Sequence, residues 1–429
     1  MAPPPADTAY RHNTLDMFMF GIGREFEEID EFNAWKAAVN ADNVYPFEAV
    51  RAEAQRPHLS LRRETGEQFD ALSFANFNYL GLGYHPEVIK AAQNAIGRYG
   101  IGAFATPTLA GTLAIHKELE QALVDFYGLP DRGITLFSSG YGANVGSIQA
   151  LVQRGHHVVM DQLVHMSILD GAKTSGAKLH FFEHNDADSL EAILKPLSGQ
   201  GNRILVCAEG VYSADGDFGR LAQLTEVAHR HGAHILVDEA HSVMLCGKKG
   251  RGVCDQAGVI DQVDFIIATL SKGFAGVGGA LIASRKVTEY VNWYARCRLF
   301  STAMDPGTAG GLIKVIELGS GSEGDNLRAR LHHNSQRLRD ALSPHVDLGA
   351  SESWIVPVIY GPDHMTFEIV DHLQRHGLDV SLMQFPSTPK DKARLRLFAN
   401  AAHSDADIDF AVTTILDAAR RFNFLKADA

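Results

Sequence analysis

The feature that most constrains the fold of this chain is an alternation of short, continuously apolar runs with segments of helical periodicity. The runs are Ile134-Thr135-Leu136-Phe137, His157-Val158-Val159-Met160, Leu179-His180-Phe181-Phe182, Ile204-Leu205-Val206-Cys207, His234-Ile235-Leu236-Val237 and Phe265-Ile266-Ile267-Ala268. Helical patterns lie between them, for example from Ala143 to Val152 and from Leu221 to His231. Strands that are apolar on both faces are typical of a parallel sheet with helices on either side. The sequence therefore predicts an α/β protein with a mostly parallel central sheet.

The pattern changes on both sides of this region. Residues 1–65 are largely polar and carry the breakers Pro46 and Pro57, whereas a long helical pattern and a second α/β segment follow Pro306. A chain of 429 residues with 45% hydrophobic content is long enough for two cores. We expect an N-terminal arm over residues 1–65, a large domain over 66–305 and a smaller C-terminal α/β domain over 306–429.

Composition narrows the class of function and the compartment. A net charge of -12 argues against non-specific binding to nucleic acid or to anionic membranes. No apolar run approaches the roughly 20 residues that span a bilayer, and the short run Met17-Phe18-Met19-Phe20 lacks the basic start of a signal peptide. The four cysteines form no C-x-x-C pair, so neither a zinc ribbon nor a disulfide framework is indicated. These features favour a reducing cytoplasm.

A lysine and an aspartate follow two neighbouring apolar runs. Lys272 comes directly after the run that ends at Ala268, in Thr269-Leu270-Ser271-Lys272-Gly273, and Asp238 ends the preceding run. A lysine amine at a strand end can form a Schiff base with an aldehyde cofactor. A buried carboxylate provides the counter-charge that a pyridinium nitrogen requires. Together the two residues suggest pyridoxal 5′-phosphate (PLP).

A glycine-rich turn after the first strand has more than one interpretation. The segment from Ser139 to Gly146 nearly matches a dinucleotide-binding fingerprint, but its last glycine comes one residue too late. Backbone N–H groups at the start of the following helix would bind a cofactor phosphate equally well. An ordinary glycine-rich strand–helix turn is the third possibility.

Two further patterns are weaker. Asp238-Glu239-Ala240-His241 also spells a box found in some nucleic-acid helicases, but the chain has no phosphate-binding G-x-x-x-x-G-K-[ST] loop. The histidines His229, His231 and His234 straddle a helix end and a strand start, so they need not converge on a metal ion. We therefore expect neither a helicase nor a metal site.

Taken together, these segments resemble the α-oxoamine synthases, a family of fold-type I PLP enzymes, and most of all serine palmitoyltransferase and glycine C-acetyltransferase. The resemblance runs from about Phe74 to His403. The segments that carry it are Phe77-Asn78-Tyr79-Leu80-Gly81-Leu82, His116-Lys117-Glu118-Leu119-Glu120, Ser139-Gly140-Tyr141-Gly142-Ala143-Asn144, His165-Met166-Ser167-Ile168, Glu183-His184-Asn185-Asp186, Glu209-Gly210-Val211-Tyr212-Ser213, Asp238-Glu239-Ala240-His241-Ser242, Gly250-Arg251-Gly252, Thr269-Leu270-Ser271-Lys272, Phe300-Ser301-Thr302-Ala303, Arg394-Leu395-Arg396 and Ala401-Ala402-His403. It implies a fold-type I, aminotransferase-like architecture.

The resemblance also implies roles for individual residues. The catalytic residues would be Lys272, His165, Asp238 and His241, with Lys272 holding the Schiff base and His165 stacked on the ring. The cofactor would further contact Gly140, Tyr141, Ser213, Thr269 and Ser301, the last of them from the neighbouring subunit of a homodimer. Asn78 would make a polar contact across the dimer, and Arg396 would bind the amino-acid carboxylate. Arg394 alternates with Arg396 on the same strand, so both should point to one face.

The implied reaction is the decarboxylative condensation of a small amino acid with an acyl thioester, carried by coenzyme A or a carrier protein, to give an α-amino ketone. Serine palmitoyltransferase-like activity in sphingolipid biosynthesis is the first expectation. Glycine C-acetyltransferase and 8-amino-7-oxononanoate synthase activities are alternatives, as are another PLP reaction and a catalytically silent subunit.

Two departures from the family pattern weaken the choice of substrate. Pro107 and Thr108 stand near a place where relatives often carry an arginine, which puts the acyl contacts in doubt. Gln384 stands where an arginine can precede a Pro-rich loop, here Phe385-Pro386-Ser387-Thr388-Pro389, and this weakens the choice of serine over glycine or alanine.

Overall fold

The computed structural model describes residues 27–385 and 387–427. Residues 1–26, for which the sequence predicts no signal peptide, lie outside this range, as does Pro386 of the Pro-rich loop. Its strands are β1 (Val50–Arg51), β2 (His58–Arg62), β3 (Gln68–Phe74), β4 (Arg132–Phe137), β5 (His157–Asp161), β6 (Lys178–Phe182), β7 (Ile204–Glu209), β8 (His234–Asp238), β9 (Phe265–Thr269), β10 (Gly279–Ser284), β11 (Ile355–Gly361), β12 (Leu378–Met383) and β13 (Ala393–Phe398).

Helices separate most of these strands. They are α1 (Glu27–Ala41), α2 (Pro86–Tyr99), α3 (Ala114–Tyr127), α4 (Gly140–Leu151), α5 (Met166–Ser175), α6 (Ala187–Leu197), α7 (Leu221–Arg230), α8 (Val253–Gln256), α9 (Arg285–Tyr294), α10 (Arg296–Leu299), α11 (Pro306–Gly319), α12 (Ser322–Leu342), α13 (Thr366–Arg375) and α14 (Asp405–Arg421). Within the described ranges, no helix combines the length and apolar character needed to cross a bilayer.

The chain forms two compact units. Among the described residues, the larger contains residues 77–213 and 217–329, and the smaller contains residues 27–76, 214–216, 330–385 and 387–427. The smaller unit thus combines segments that precede and follow the larger unit in the sequence with three residues from its middle. The domain boundaries predicted at residues 65 and 305 stay a prediction.

The larger unit is built on a seven-stranded sheet in the order β4-β10-β9-β8-β7-β5-β6. Only β10 runs antiparallel to its neighbours, so the predicted mostly parallel sheet of a fold-type I enzyme is confirmed. Every residue of β5, β7 and β9 is buried, which explains why these strands read as continuous apolar runs.

The parallel pairing of the strands brings polar residues together at one edge of this sheet. Parallel strands end on the same side, and Asp161, Glu209, Asp238 and Thr269 are the last residues of β5, β7, β8 and β9. Glu209 lies directly opposite Asp238 across the β7–β8 pair. Ligands of open α/β sheets bind outside these carboxyl ends, so this edge is where a site is expected.

Helix α4 begins at the same edge, three residues earlier than its periodicity predicts. Ser139 is its N-cap, and its Oγ accepts a 2.9 Å hydrogen bond from the Gly142 N–H. The capping serine extends the helix through Gly140, because it satisfies an amide that the first turn otherwise leaves without an acceptor.

The smaller unit contains a six-stranded sheet in the order β1-β2-β3-β12-β13-β11. Only the β3–β12 pair is parallel. Its core includes Phe74 of β3, Leu395 and Leu397 of β13, Leu338 of α12 and Ile408 of α14. In β13 the leucines fill this core, so the intervening Arg394 and Arg396 point to the opposite face.

Candidate active site

Lys272 lies in a tight turn that follows β9. The turn is closed by hydrogen bonds from the Ala275 N–H to the Lys272 carbonyl and from the Gly276 N–H to the Leu270 carbonyl, both 2.8 Å. A side chain at Gly273 would overlap the Val243 carbonyl, so the residue after the lysine has to be glycine. The Lys272 ammonium is 5.7 Å from the centre of the Phe77 ring. A short, sterically constrained turn therefore holds this amine beside an aromatic ring.

Asp238, at the end of β8, is buried and accepts two hydrogen bonds. Its Oδ2 accepts a 2.6 Å bond from Asn144 Nδ2, and its Oδ1 accepts a 2.9 Å bond from the Ala240 N–H. The same Asn144 nitrogen donates to Ser167 Oγ at 2.9 Å. Asn144 therefore links the start of α4 to both β8 and α5.

His241, three residues after Asp238, is fixed by two aromatic neighbours. Its Nδ1 shares a 2.8 Å hydrogen bond with the Tyr79 hydroxyl, and its ring meets the Phe77 ring edge-on at 5.6 Å. Phe77 thus contacts both His241 and Lys272. The segment that carries Asn78 accordingly packs against two predicted catalytic residues.

His165 is the N-cap of α5, and its side chain is exposed. Its Nδ1 lies 2.8 Å from Ser167 Oγ, and its backbone N–H donates to a carboxylate oxygen of Glu209. Hydrogen bonds thus run from His165 through Ser167 and Asn144 to Asp238. An accessible imidazole on a fixed backbone is suited to stack on a bound ring.

Glu209 belongs to a segment that carries the family resemblance, but the sequence predicted no role for it. It is buried at the end of β7, and burial together with the neighbouring Asp238 charge raises its pKa well above the ordinary value, while Lys272 opposes the shift. Both Asp238 and Lys272 therefore act on this one carboxyl group. The shift favours the uncharged form of Glu209.

The start of α4 has the features of a phosphate cradle. Its first turn presents the amides of Gly140 and Tyr141, and helix N-termini bind anions because such amides lack an intrahelical acceptor. A side chain at Gly140 would overlap the Thr269 hydroxyl, so the glycine lets the backbone approach that residue. Tyr141 is exposed, and its hydroxyl donates to Asp170. These donors suit a phosphate group.

Three other predicted residues lie in loops of the larger unit. Asn78 accepts a 3.2 Å hydrogen bond from the Gly83 N–H. Ser213 is half-buried in the loop after β7. Ser301 follows α10 and lines a cavity together with Arg298 and Pro107.

The two arginines of β13 have different surroundings. Arg394 is buried and donates to Asp215 Oδ1 at 2.6 Å and to the Ala214 carbonyl at 3.2 Å. Arg396 instead lies with its guanidinium carbon 4.7 Å from the centre of the Phe398 ring. Arg394 is thus engaged by an internal carboxylate, whereas Arg396 packs on an aromatic ring.

The three histidines that could have suggested a metal ion bind two separate carboxylates. His229 and His234 are each 3.1 Å from Asp264, whereas His231 is 3.1 Å from Glu191. Across the part of the chain that the structure describes, no cluster of three or more His, Cys, Asp or Glu side chains could hold a metal ion.

Comparison with known proteins identifies the family to which this site belongs. The aminotransferase class I and II family matches residues 70–415. The chain belongs to this family. Among the curated relatives, 8-amino-7-oxononanoate synthase from Thermoanaerobacter pseudethanolicus is 35% identical over 357 residues, or 83% of this chain and 89% of the relative. The enzyme of the same name from Salmonella paratyphi C is 36% identical and covers 80% of this chain and 88% of the relative.

Solved structures agree with this placement. A serine palmitoyltransferase from S. paucimobilis, with PLP and myriocin bound, has a TM-score of 0.87 at 31% identity and covers 94% of this chain and 100% of its own. Serine palmitoyltransferase from Sphingomonas wittichii has a TM-score of 0.86 with the same identity and coverage. The relatives and the structures are α-oxoamine synthases, so the predicted family is confirmed.

This α-oxoamine synthase is a PLP-dependent acyltransferase. The residues present fit the cofactor: a lysine amine, a buried carboxylate and a helix N-terminus without a side chain at Gly140 lie at one sheet edge. When bound, PLP supplies an electron-withdrawing ring that stabilises negative charge at the amino-acid α-carbon.

Proposed function

We propose that this enzyme condenses serine with an acyl thioester and releases carbon dioxide, giving an α-amino ketone for sphingolipid biosynthesis. The Cα–H and Cα–carboxylate bonds of serine break, and a bond from Cα to the acyl carbon and a new Cα–H bond form. The thioester sulfur leaves as a free thiol. The balance consumes one proton and needs no oxidant or reductant.

The observation that carries this proposal is that Asp238 and Glu209 lie opposite each other at the ends of β8 and β7, while Lys272 follows the end of the adjacent strand β9. That arrangement supports an amine and a carboxylate acting on one ring. The likeness to serine palmitoyltransferases over 94% of the chain supports the choice of serine.

The chain's own residues divide the work in this proposal. Lys272 would move the proton at the amino-acid Cα, and Asp238 would keep the ring nitrogen protonated. His165 would stack on the ring, and His241 would donate to its hydroxyl oxygen. The phosphate would be held by Gly140, Tyr141, Ser213, Thr269 and Ser301 of the partner subunit. Orienting the breaking bonds relative to the ring is a positioning task, which we give to His165 and Arg396.

We further propose a homodimer in the cytoplasm. Four apolar side chains around the Ser301 segment are between 78% and 81% exposed, namely Ile101, Phe104, Leu109 and Phe300. The Ala303 N–H donates to the Ala105 carbonyl at 3.0 Å, so the two segments that carry these residues are adjacent. Such an apolar patch is typical of a protein interface. The location is supported by the four cysteines, all of which are free thiols.

The two departures from the family pattern have local structural counterparts. Thr108, near the place of the missing arginine, accepts a 3.0 Å hydrogen bond from Arg298 Nη1. A guanidinium from another segment thus stands at this place, where it also donates to the Leu136 and Asn292 carbonyls. Gln384 is buried, and its Nε2 has no acceptor among residues 27–385 and 387–427. Its amide is therefore a candidate contact for a bound substrate.

An 8-amino-7-oxononanoate synthase-like reaction is the second candidate. It is favoured by the curated relatives of that name, at 35% identity over 83% of the chain. It shares the condensation chemistry and differs in the amino acid and the acyl group.

A thiol-release assay separates these possibilities. Purified holoenzyme is incubated with serine, glycine or alanine, each with acyl-CoA thioesters of graded length and with an acyl carrier protein thioester. We expect free thiol and carbon dioxide in equal amounts, with serine the best amino acid and an α-amino ketone seen by mass spectrometry. Preference for alanine or glycine would favour the alternatives. Turnover of the amino acid without thiol release would reject the acyltransferase proposal.

Arg396 and Arg394 form a matched pair of variants on one strand face. We expect Arg396→Lys to raise the KM for the amino acid about tenfold to a hundredfold, because a lost charge-assisted hydrogen bond is worth about 1.5–3 kcal/mol. Arg394→Lys should leave that KM near the wild-type value and lower the urea midpoint, because Arg394 binds Asp215. Equal changes in KM for both variants would contradict the assignment of Arg396.

A further inference from the structure

A histidine outside the predicted catalytic set is held between two buried carboxylates. His184 Nδ1 lies 3.0 Å from Asp161 Oδ1, and its Nε2 lies 2.8 Å from Asp217 Oδ2. The Asp161 side chain is 0% exposed and that of Asp217 is 5% exposed. Burial of the ring opposes protonation, but the hydrogen bonds to the two carboxylates outweigh it and raise the pKa of His184 from 6.5 to about 10. His184 is therefore a cation at neutral pH.

His184, Asp161 and Asp217 form an ion triad. Asp161, at one end of this triad, fixes the turn that leads to His165. Asp161 Oδ1 also accepts a 2.9 Å hydrogen bond from the Leu163 N–H, and the Asp161 carbonyl accepts one of 3.2 Å from the Val164 N–H. The next amide, that of His165, donates to Glu209. The backbone of this turn is thus held by Asp161 at its start and by Glu209 at its end.

The Asp217 end fixes the loop that carries Ser213. Tyr212 and Asp217 lie on opposite legs of this loop, joined by a 3.1 Å bond from the Tyr212 N–H to the Asp217 carbonyl. The His184 ring meets the Tyr212 ring edge-on at 4.4 Å. Asn185, the next residue, donates to Asp217 Oδ2 at 2.8 Å and to the Phe218 carbonyl at 3.1 Å. Ser213 therefore follows directly after a residue that packs on His184.

We propose that His184 is a positioning residue, which ties Asp161 to Asp217 and thereby sets the His165 ring and the Ser213 hydroxyl relative to each other around the bound cofactor. The inference rests on the proposed roles of His165 and Ser213. Its physical basis is that a charged ring between two buried carboxylates is strongly restrained, because loss of either partner leaves a buried charge unpaired. The loops that follow β5 and β7 are thus both held by contacts with His184.

Two variants test this proposal. Asp217→Asn removes one charge and keeps the His184–Asp161 pair, so it is the variant expected to fold. His184→Gln/Asp217→Asn removes the cation and one carboxylate together, so it leaves no additional net charge on the triad. His231→Gln is the matched control, since His231 pairs with Glu191 and lies before the start of β8, whereas the site lies at the other end of that strand. Each protein is loaded with PLP.

The readouts are visible circular dichroism of the bound cofactor, its dissociation constant, and the spectral titration with the amino acid. We expect both test variants to change the circular dichroism band and to weaken amino-acid binding about tenfold to a hundredfold, since a displacement near 1 Å costs up to about a hundredfold. The control should match the wild type. A wild-type band and titration in folded Asp217→Asn protein would overturn the proposal, as would the same change in His231→Gln. The spectra report on His184 even if wild-type protein releases no thiol, so the two proposals fail separately.

Discussion

Replacing Lys272 with alanine is expected to abolish turnover and the covalent attachment of the cofactor. The variant removes the amine that β9 and the turn at Gly273 hold beside Phe77. Wild-type protein mixed with PLP should show a visible band that borohydride reduction fixes to the chain, whereas Lys272→Ala should show neither. Loss of the proton-transferring group alone should reduce thiol release by about a hundredfold to ten-thousandfold.

The control for Lys272 is a lysine of the same unit without a role in the site. Lys117 lies on α3, is 62% exposed and pairs with Glu120 at 2.8 Å. Lys117→Ala should keep the visible band, the reduction product and the rate of thiol release. Urea unfolding of Lys272→Ala should give a midpoint near the wild type, which separates lost chemistry from lost structure. Borohydride-stable attachment of PLP in Lys272→Ala would show that another amine is the attachment point.

The sequence was sufficient to predict that Lys272 and Asp238 lie at the same edge of the sheet. Each residue follows a buried strand, and parallel strands end at one edge, so a parallel sheet brings both residues to the same place. The fold followed from the same pattern. What the pattern could not supply was which strands are adjacent, because the order β9-β8-β7 depends on how the crossovers pack.

The residues that contact Asp238 could not be predicted from the sequence for the same reason. Asn144 and Glu209 belong to motifs for which the sequence predicted no role for these two residues. Their partner Asp238 lies 94 residues from Asn144 and 29 residues from Glu209 in the chain. Arg394 and Arg396 looked equivalent because alternation puts both on one face of β13. Only the contact with Asp215, 179 residues away in the chain, distinguishes them. Periodicity predicts on which face of a strand a side chain lies, but it does not predict which residues from distant parts of the chain contact that face.

Asp238→Asn is expected to retain PLP and lose most of the activity. The substitution keeps the size of a side chain whose two oxygens accept from Asn144 and Ala240, but removes its charge. Without that charge a bound ring would not keep its nitrogen protonated, and negative charge at the amino-acid Cα would be poorly stabilised. Losing one preorganised electrostatic group at a developing charge reduces kcat by about a hundredfold to a thousandfold. Single-turnover spectra with serine and the thiol assay measure the loss.

Glu209→Gln is the matched control for this prediction, because the two carboxyl groups are buried side by side in paired strands. Burial and the Asp238 charge raise the pKa of Glu209 well above its ordinary value, so the amide mimics the uncharged form that this shift favours. It also keeps an oxygen that can accept from the His165 N–H. The loss in kcat should therefore stay below about tenfold, the lower limit of what a charge-assisted contact contributes. Equal losses in the two variants would mean that the charge of Asp238 is not what the reaction requires, since Glu209→Gln leaves that charge in place.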